Sequence, residues 1–379
     1  MSANTDASTP STTTTTTAAA AAEWRLVRRG LSASGACTVL GEGALWSVAD
    51  QCLYWLDIEQ SLVHRYTPPS PPAVSASSSN ADQQPSDAVG GSHASVRFNS
   101  MVGCLALTEK PHQVLLAAAS GLWLLDWSTL RAWPLAPFPE RDEPEAFRFN
   151  DGGVSPDGTL VVGTLYKDEE RGADRGSLYE YACTADGSIA CRPVHRGVSI
   201  PNGLDWSDDG RTLLFIDTPE QRVDAFDWTS EPFVNNGNAA ATAADPAPAS
   251  STPLSRRRPA FDVPREHAHP DGMTLDADGS LWIAHWAGAR VTRFSATGEL
   301  QRCIALPTSQ TTCPCFGGPQ LRDLYVTSAS RGLDLQKEPL AGSLFVVPNA
   351  GQGRAAKVFR GCIAVDDAKA VQLELVDQQ

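Results

Sequence analysis

The chain has 379 residues, and 30 Lys and Arg against 44 Asp and Glu leave a net charge of −14. That balance argues against a phosphate-binding surface, and with it against nucleic acid as a partner, and suits a soluble protein that attracts cations. Nine cysteines, an odd number with no C-x-x-C pair, exclude a disulfide framework and read as a reduced, cytoplasmic chain.

Residues 1–22 are rich in Thr, Ala and Ser and contain no Lys or Arg. They lack a secretory n-region and read as a disordered tail, and no run approaches the eighteen or so apolar residues of a membrane span. From residue 23 onward the chain is organised in strand pairs. In order these are Leu53–Leu56 with Leu62–Tyr66, Val114–Ala118 with Leu122–Leu125, Leu160–Val162 with Ser177–Tyr181, Leu213–Ile216 with Val223–Phe226, Leu281–Ala284 with Val291–Phe294, and Leu324–Thr327 with Ser343–Val347. In most pairs the first member is strongly apolar and the second alternates apolar with polar, as half-buried strands do. Helical periodicity is almost absent.

Six units at a period of roughly 40 to 50 residues predict an all-β chain folded as a single six-bladed β-propeller over residues 23–379. Asn150 and Asn202 lie 52 residues apart, whereas Asn202 and Asp271 lie 69 apart. The excess falls in residues 232–258, which are rich in Ala, Asn, Pro, Ser and Thr; without these roughly 27 residues the spacing returns to about 42. Residues 68–95 form a similar insertion, and both have too little apolar content to fold alone.

A polar position recurs in phase with these units. Asn202-Gly203 precedes Asp209-Gly210 by seven residues, Asp271-Gly272 precedes Asp278-Gly279 by seven, Asn150 stands seven before Asp157-Gly158, and Glu42-Gly43 runs to Ala49-Asp50 in the same phase. In a propeller, equivalent positions of successive blades are related by rotation, so these side chains face one another across the channel mouth. Glu42, Asn202 and Asp271 then offer two carboxylates and an amide carbonyl to one divalent cation, an oxygen set suited to Ca²⁺, Mg²⁺ or Mn²⁺ with Zn²⁺ also open. The competing explanation is that Asn-Gly and Asp-Gly are favoured turn dipeptides. Against it, each repeat already has its turn seven or eight residues on, Glu42 is not a turn residue, and two facing acids repel without a cation.

Taken together, Leu40-Gly41-Glu42 with Leu56-Asp57-Ile58, Arg148-Phe149-Asn150-Asp151-Gly152, Pro201-Asn202-Gly203-Leu204-Asp205-Trp206, Pro270-Asp271-Gly272-Met273 and Cys315-Phe316-Gly317-Gly318 resemble the regucalcin (senescence marker protein) and gluconolactonase family over roughly residues 35–350. The resemblance implies a six-bladed propeller holding one divalent cation on Glu42, Asn202 and Asp271. It also implies that Arg148 and Asn150 contact a sugar lactone, with Asp168 or Glu169 as an acidic substrate contact.

On that basis the expected activity is metal-dependent opening of an aldonolactone such as gluconolactone to the aldonic acid. Asp271 is the expected general base, and Arg148 the forked donor that orients ring oxygens. A Ca²⁺-binding regulatory protein, in which occupancy rather than turnover is the function, is a second expectation, and a non-catalytic scaffold a third; a scaffold has no need of this polar set. His285 and Trp286 fall at the pocket rim either as sugar contacts or as packing. His267 and His269 lack a third ligand for zinc, and Cys313 and Cys315 read as buried small residues beside a turn. No G-x-S-x-G elbow, Walker loop or G-x-G-x-x-G is present, which lowers the expectation of serine hydrolase, nucleotidase or dinucleotide chemistry.

Overall fold

The apolar pairs read from the sequence are the two middle strands of six successive antiparallel sheets. This follows from burial: a middle strand is covered on both faces, so runs such as Cys52–Asp57 and Gln113–Ala118 are apolar nearly throughout. In the computed structural model, which describes residues 23–29, 38–69, 90–140, 142–168, 171–229 and 253–378, each sheet forms one blade of a propeller. The innermost strands are Gly41–Ser47, Val102–Leu107, Phe147–Val154, Pro201–Trp206, His269–Leu275 and Thr311–Gly317, and they contact one another in turn around a central channel. Apolar clusters fill the spaces between neighbouring blades. The Asp-Gly turns lie where the phase puts them: Gly158, Gly210 and Gly279 have φ of +83°, +68° and +77°, a region open to glycine without a Cβ penalty.

The ring closes through the chain's start. Arg25–Arg28 pairs antiparallel with Leu344–Val347 and so completes blade 6. The end of the chain then crosses the face of the ring where the inner strands finish. Phe359 N–H donates to Leu107 O at 2.8 Å, Arg360 N–H to Gly158 O at 2.9 Å, and Lys357 Nζ lies 2.9 Å from Asp205. The segment finishes as added outer strands, Val371–Gln372 on blade 2 and Leu375–Gln378 on blade 1. Both features lie outside the motifs read above.

Two boundaries move. The outer strands Ser92–Arg97 and Leu254–Asp262 begin inside the stretches read as insertions; both are mainly polar, and the second is largely exposed, which is why composition conceals them. Residues 70–89 and 232–252 of those stretches, and the tail 1–22, lie outside the described residues. Cys313 and Cys315 are buried, as read, but stand within the innermost strand of blade 6 rather than beside a turn. Among the described residues the helical elements are four three-residue 3-10 turns, and no helix is long and apolar enough to cross a membrane.

Candidate active site

The recurring polar position is a repeated backbone irregularity. Pairing between the first two strands slips between Glu42 and Leu45, Phe149 and Gly152, Pro201 and Leu204, and Pro270 and Met273. Such bulges bend a strand and re-aim its side chains. The glycine after the polar residue follows from the convergence of inner strands: a Cβ at Gly203 would lie 2.4 Å from Met273 Cβ, and one at Gly272 would lie 2.7 Å from Thr312 O. Asn202-Gly203 and Asp271-Gly272 are therefore not turn dipeptides. They are strand positions packed at the channel wall.

Glu42, Arg148, Asn150, Asn202 and Asp271 line one cavity of about 330 Å³, at the low end of the range for small-molecule sites. A directional hydrogen-bond chain fixes its polar groups. Arg148 Nη1 donates to Asn150 Oδ1 at 2.6 Å and to Phe149 O at 3.0 Å. Asn150 Nδ2 donates to Asn202 Oδ1 and to Pro201 O, both at 2.7 Å. Asn202 Nδ2 donates to Thr218 Oγ1 at 2.6 Å, and the Thr218 hydroxyl donates onward to Pro270 O at 2.8 Å. Because Thr218 spends its proton on Pro270, it can only accept from Asn202. The Asn202 amide is thereby oriented, with its nitrogen on Thr218 and its oxygen on the side of Asn150.

The two carboxylates are under-compensated. Asp271 is buried, and Glu42 keeps part of its surface open to the cavity. Burial pushes both carboxyls well above the usual carboxylate range; the Asp151 charge raises both further, and Glu42 also raises Asp271. Arg148 opposes this only in part. Among the described residues neither acid forms an ion pair, and Glu42 accepts the Gly43 N–H at 3.2 Å. Asp151 adds a third negative charge farther along the channel, in a separate cavity of about 130 Å³ bordered by Arg354 and Lys357 from the C-terminal segment; burial pushes its carboxyl up to about 6. No three His, Cys, Asp or Glu side chains converge as a cage among the described residues. The oxygen set is two acids and one amide, and buried like charges that form no ion pair among the described residues and are offset only in part by Arg148 fit a divalent cation.

Other expected residues fall differently. Asp168 is exposed, its carboxylate 3.3 Å from Arg171 Nε, and it does not line the cavity; Glu169 lies outside the described residues. His285 is fully buried, with Nε2 2.6 Å from Thr292 Oγ1, while Trp286 lines the cavity. His267 and His269 diverge: the first lies 3.1 Å from Arg290 Nη1, and the second lines the cavity, 3.3 Å from Gln221 Nε2. Leu40, Ile200, Thr218, Pro219 and Arg331 are lining residues that sequence reading missed. A signal existed for part of this set. Asp217, just before Thr218, accepts the N–H groups of Ser199 and Ile200 at 3.0 and 2.8 Å, and Asp57 accepts those of Val39 and Leu40 at 2.8 and 3.3 Å. Each holds the loop that enters an inner strand, so an Asp ending a second strand marks the rim.

Residues 40–330 match the family model described as the SMP-30/Gluconolactonase/LRE-like region. The chain is 30% identical over 330 residues to regucalcin of Xenopus laevis, covering 85% of this chain and 95% of that protein. It is 29% identical over 312 residues to YvrE of Bacillus subtilis, a protein provisionally named a sugar lactone lactonase, covering 81% and 90%. Among solved structures, a calcium-binding protein, regucalcin, from Agrobacterium tumefaciens superposes with a TM-score of 0.67 at 25% identity, covering 89% of this chain and 99% of that one. A luciferin-regenerating enzyme superposes with a TM-score of 0.65 at 27% identity, covering 85% and 96%.

Proposed function

We propose, from the premise that this chain belongs to the SMP-30/Gluconolactonase/LRE-like family, that it is a lactonase that opens a sugar lactone with the help of one divalent cation. The observation that carries this reading is the pairing, in one cavity, of two acids that Arg148 offsets only in part with the Arg148 and Asn150 hydrogen-bond chain. Glu42, Asn202 and Asp271 would hold the cation. When bound there, a divalent ion supplies Lewis acidity toward a carbonyl oxygen and acidity to a water.

The chain's own residues then have distinct tasks. Asp271 takes a proton from the water that adds to the lactone carbonyl carbon. As the bond from that carbon to the ring oxygen breaks, the proton passes to the leaving oxygen, giving the open-chain hydroxy acid. Arg148 orients ring substituents by forked donation, while its contacts to Phe149 O and Asn150 Oδ1 keep the guanidinium in place. Asn150 ties the substrate side of the cavity to Asn202 on the cation side.

Proton release after adding several aldonolactones to metal-stripped protein, and again with Ca²⁺, Mn²⁺ or Zn²⁺ restored, tests the reading. Metal-dependent release from at least one lactone is expected, and silence with every lactone and ion overturns it. A second reading, cation binding without turnover, is supported by the same oxygen set and by relatives named regucalcin. Calorimetric Ca²⁺ binding with no proton release would favour it.

A further inference from the structure

The second strand of blade 5, Leu281–Trp286, is buried at every residue except the last. There the strand ends on a tryptophan that is only partly buried. Part of Trp286 packs against the cluster that contains Leu40 and Ala329; part forms cavity wall beside Leu40, Ile200 and Pro219. The inner strands thus supply most of the polar lining, and Leu40, Ile200, Pro219 and Trp286 supply an apolar one. His285, one residue earlier and on the opposite face of the strand, is instead enclosed against Thr292. Aromatic surface left open in a ligand cavity is surface that a ligand can cover.

We propose that Trp286 is a specificity-determining residue whose indole carries the C–H face of a closed sugar-lactone ring. The proposal rests on the lactonase reading and narrows it to cyclic polyol lactones held by one face. A five- or six-membered sugar ring is rigid and presents contiguous C–H groups on a face, while its hydroxyls radiate toward polar partners such as Arg148 and Asn150. Stacking covers both apolar surfaces at little entropic cost, because ring and indole are already rigid. Hydrolysis destroys that match. The open-chain acid has no fixed C–H face and must lose torsional freedom to imitate one, so the wall retains substrate and releases product.

Kinetics of the metal-loaded protein with Trp286→Leu, which keeps apolar packing, and Trp286→Phe, which keeps an aromatic face, test this. Trp286→Leu raises KM for the lactone roughly five- to tenfold with kcat changed less than about twofold, since Trp286 touches no reacting atom. Trp286→Phe restores most of the loss, and inhibition by the open-chain aldonate changes little in either variant. An unchanged KM in Trp286→Leu, or equal weakening of lactone and aldonate, overturns the proposal while the lactonase reading stands. Binding is also read without turnover, by intrinsic fluorescence on titration with a 1,5-anhydroalditol, a ring that cannot be hydrolysed. A spectral change in the wild type that is lost in Trp286→Phe is expected, and no change in the wild type overturns the stacking. Absence of hydrolysis of any lactone by the wild type would instead remove the lactonase reading.

Discussion

Thr218 hydrogen-bonds neither acid of the site, yet it sets what Asn202 offers. Its hydroxyl is committed to Pro270 O at 2.8 Å and so accepts the Asn202 Nδ2 hydrogen at 2.6 Å. Replacing it with Val keeps the shape and leaves two polar groups without partners. The Asn202 amide then loses its orientation. Partners of ligating side chains typically matter tenfold or more for metal affinity, so Thr218→Val is expected to weaken Ca²⁺ or Mn²⁺ binding roughly tenfold, measured by calorimetry, with the circular dichroism spectrum retained. Unaltered affinity would show that the amide holds its orientation without Thr218. Residues of this kind are hard to find in a sequence, because their effect is exerted through one hydrogen bond to another blade.

At the scale of elements, the bulge explains why polar and glycine residues alternate at the channel. The inner strands must approach closely, and a Cβ at Gly103 would fall 2.0 Å from Phe149 O. The crossing C-terminal segment matters for a different reason. Phe359 is 1% exposed and packs into the cluster between blades 2 and 3, while its N–H reaches Leu107 O. Truncating such a phenylalanine costs about 3–5 kcal/mol. Phe359→Ala is expected to lower the thermal unfolding midpoint by several degrees, while metal-saturated lactone turnover is kept below the transition. A midpoint equal to that of the wild type would mean that the segment does not stabilise the ring. The middle strands were legible because both faces are buried. The outer strands were not: Leu300–Ala305 is exposed at most positions and carries little periodic signal.

On the scale of the whole molecule, buried histidines couple the fold to pH. Burial holds His285 and His93 down to about 3, with His267 and Arg290 adding to the effect at His285 and Arg28 at His93. The unfolded chain takes up protons on these rings near pH 6.5 and the folded one does not, so stability falls as pH drops through that value and continues to fall toward 3. Glu42 and Asp271 act in the opposite sense when no cation is bound. Their raised pKa favours the fold at low pH, and this contribution is lost as pH rises. His285→Asn isolates one ring. The stability gap between wild type and this variant, from urea denaturation, is expected to narrow by about 1.4 kcal/mol per pH unit between roughly pH 6 and 4. A gap independent of pH would remove His285 from the account.

The sequence by itself determined the six-fold repeat, the middle strands and the phase that brings Glu42, Asn150, Asn202 and Asp271 to one cavity. All of these are properties of local period, which side-chain burial imposes on every blade alike. Only the tertiary structure decided how the ring closes through Arg25–Arg28, where residues 349–378 run, and which of His285 and Trp286 meets the cavity. It also placed Asp168 against Arg171 instead of in the lining. Backbone pairing between strands more than 300 residues apart leaves no pattern in either strand, and the residues around a rim are neighbours only after the blades have assembled.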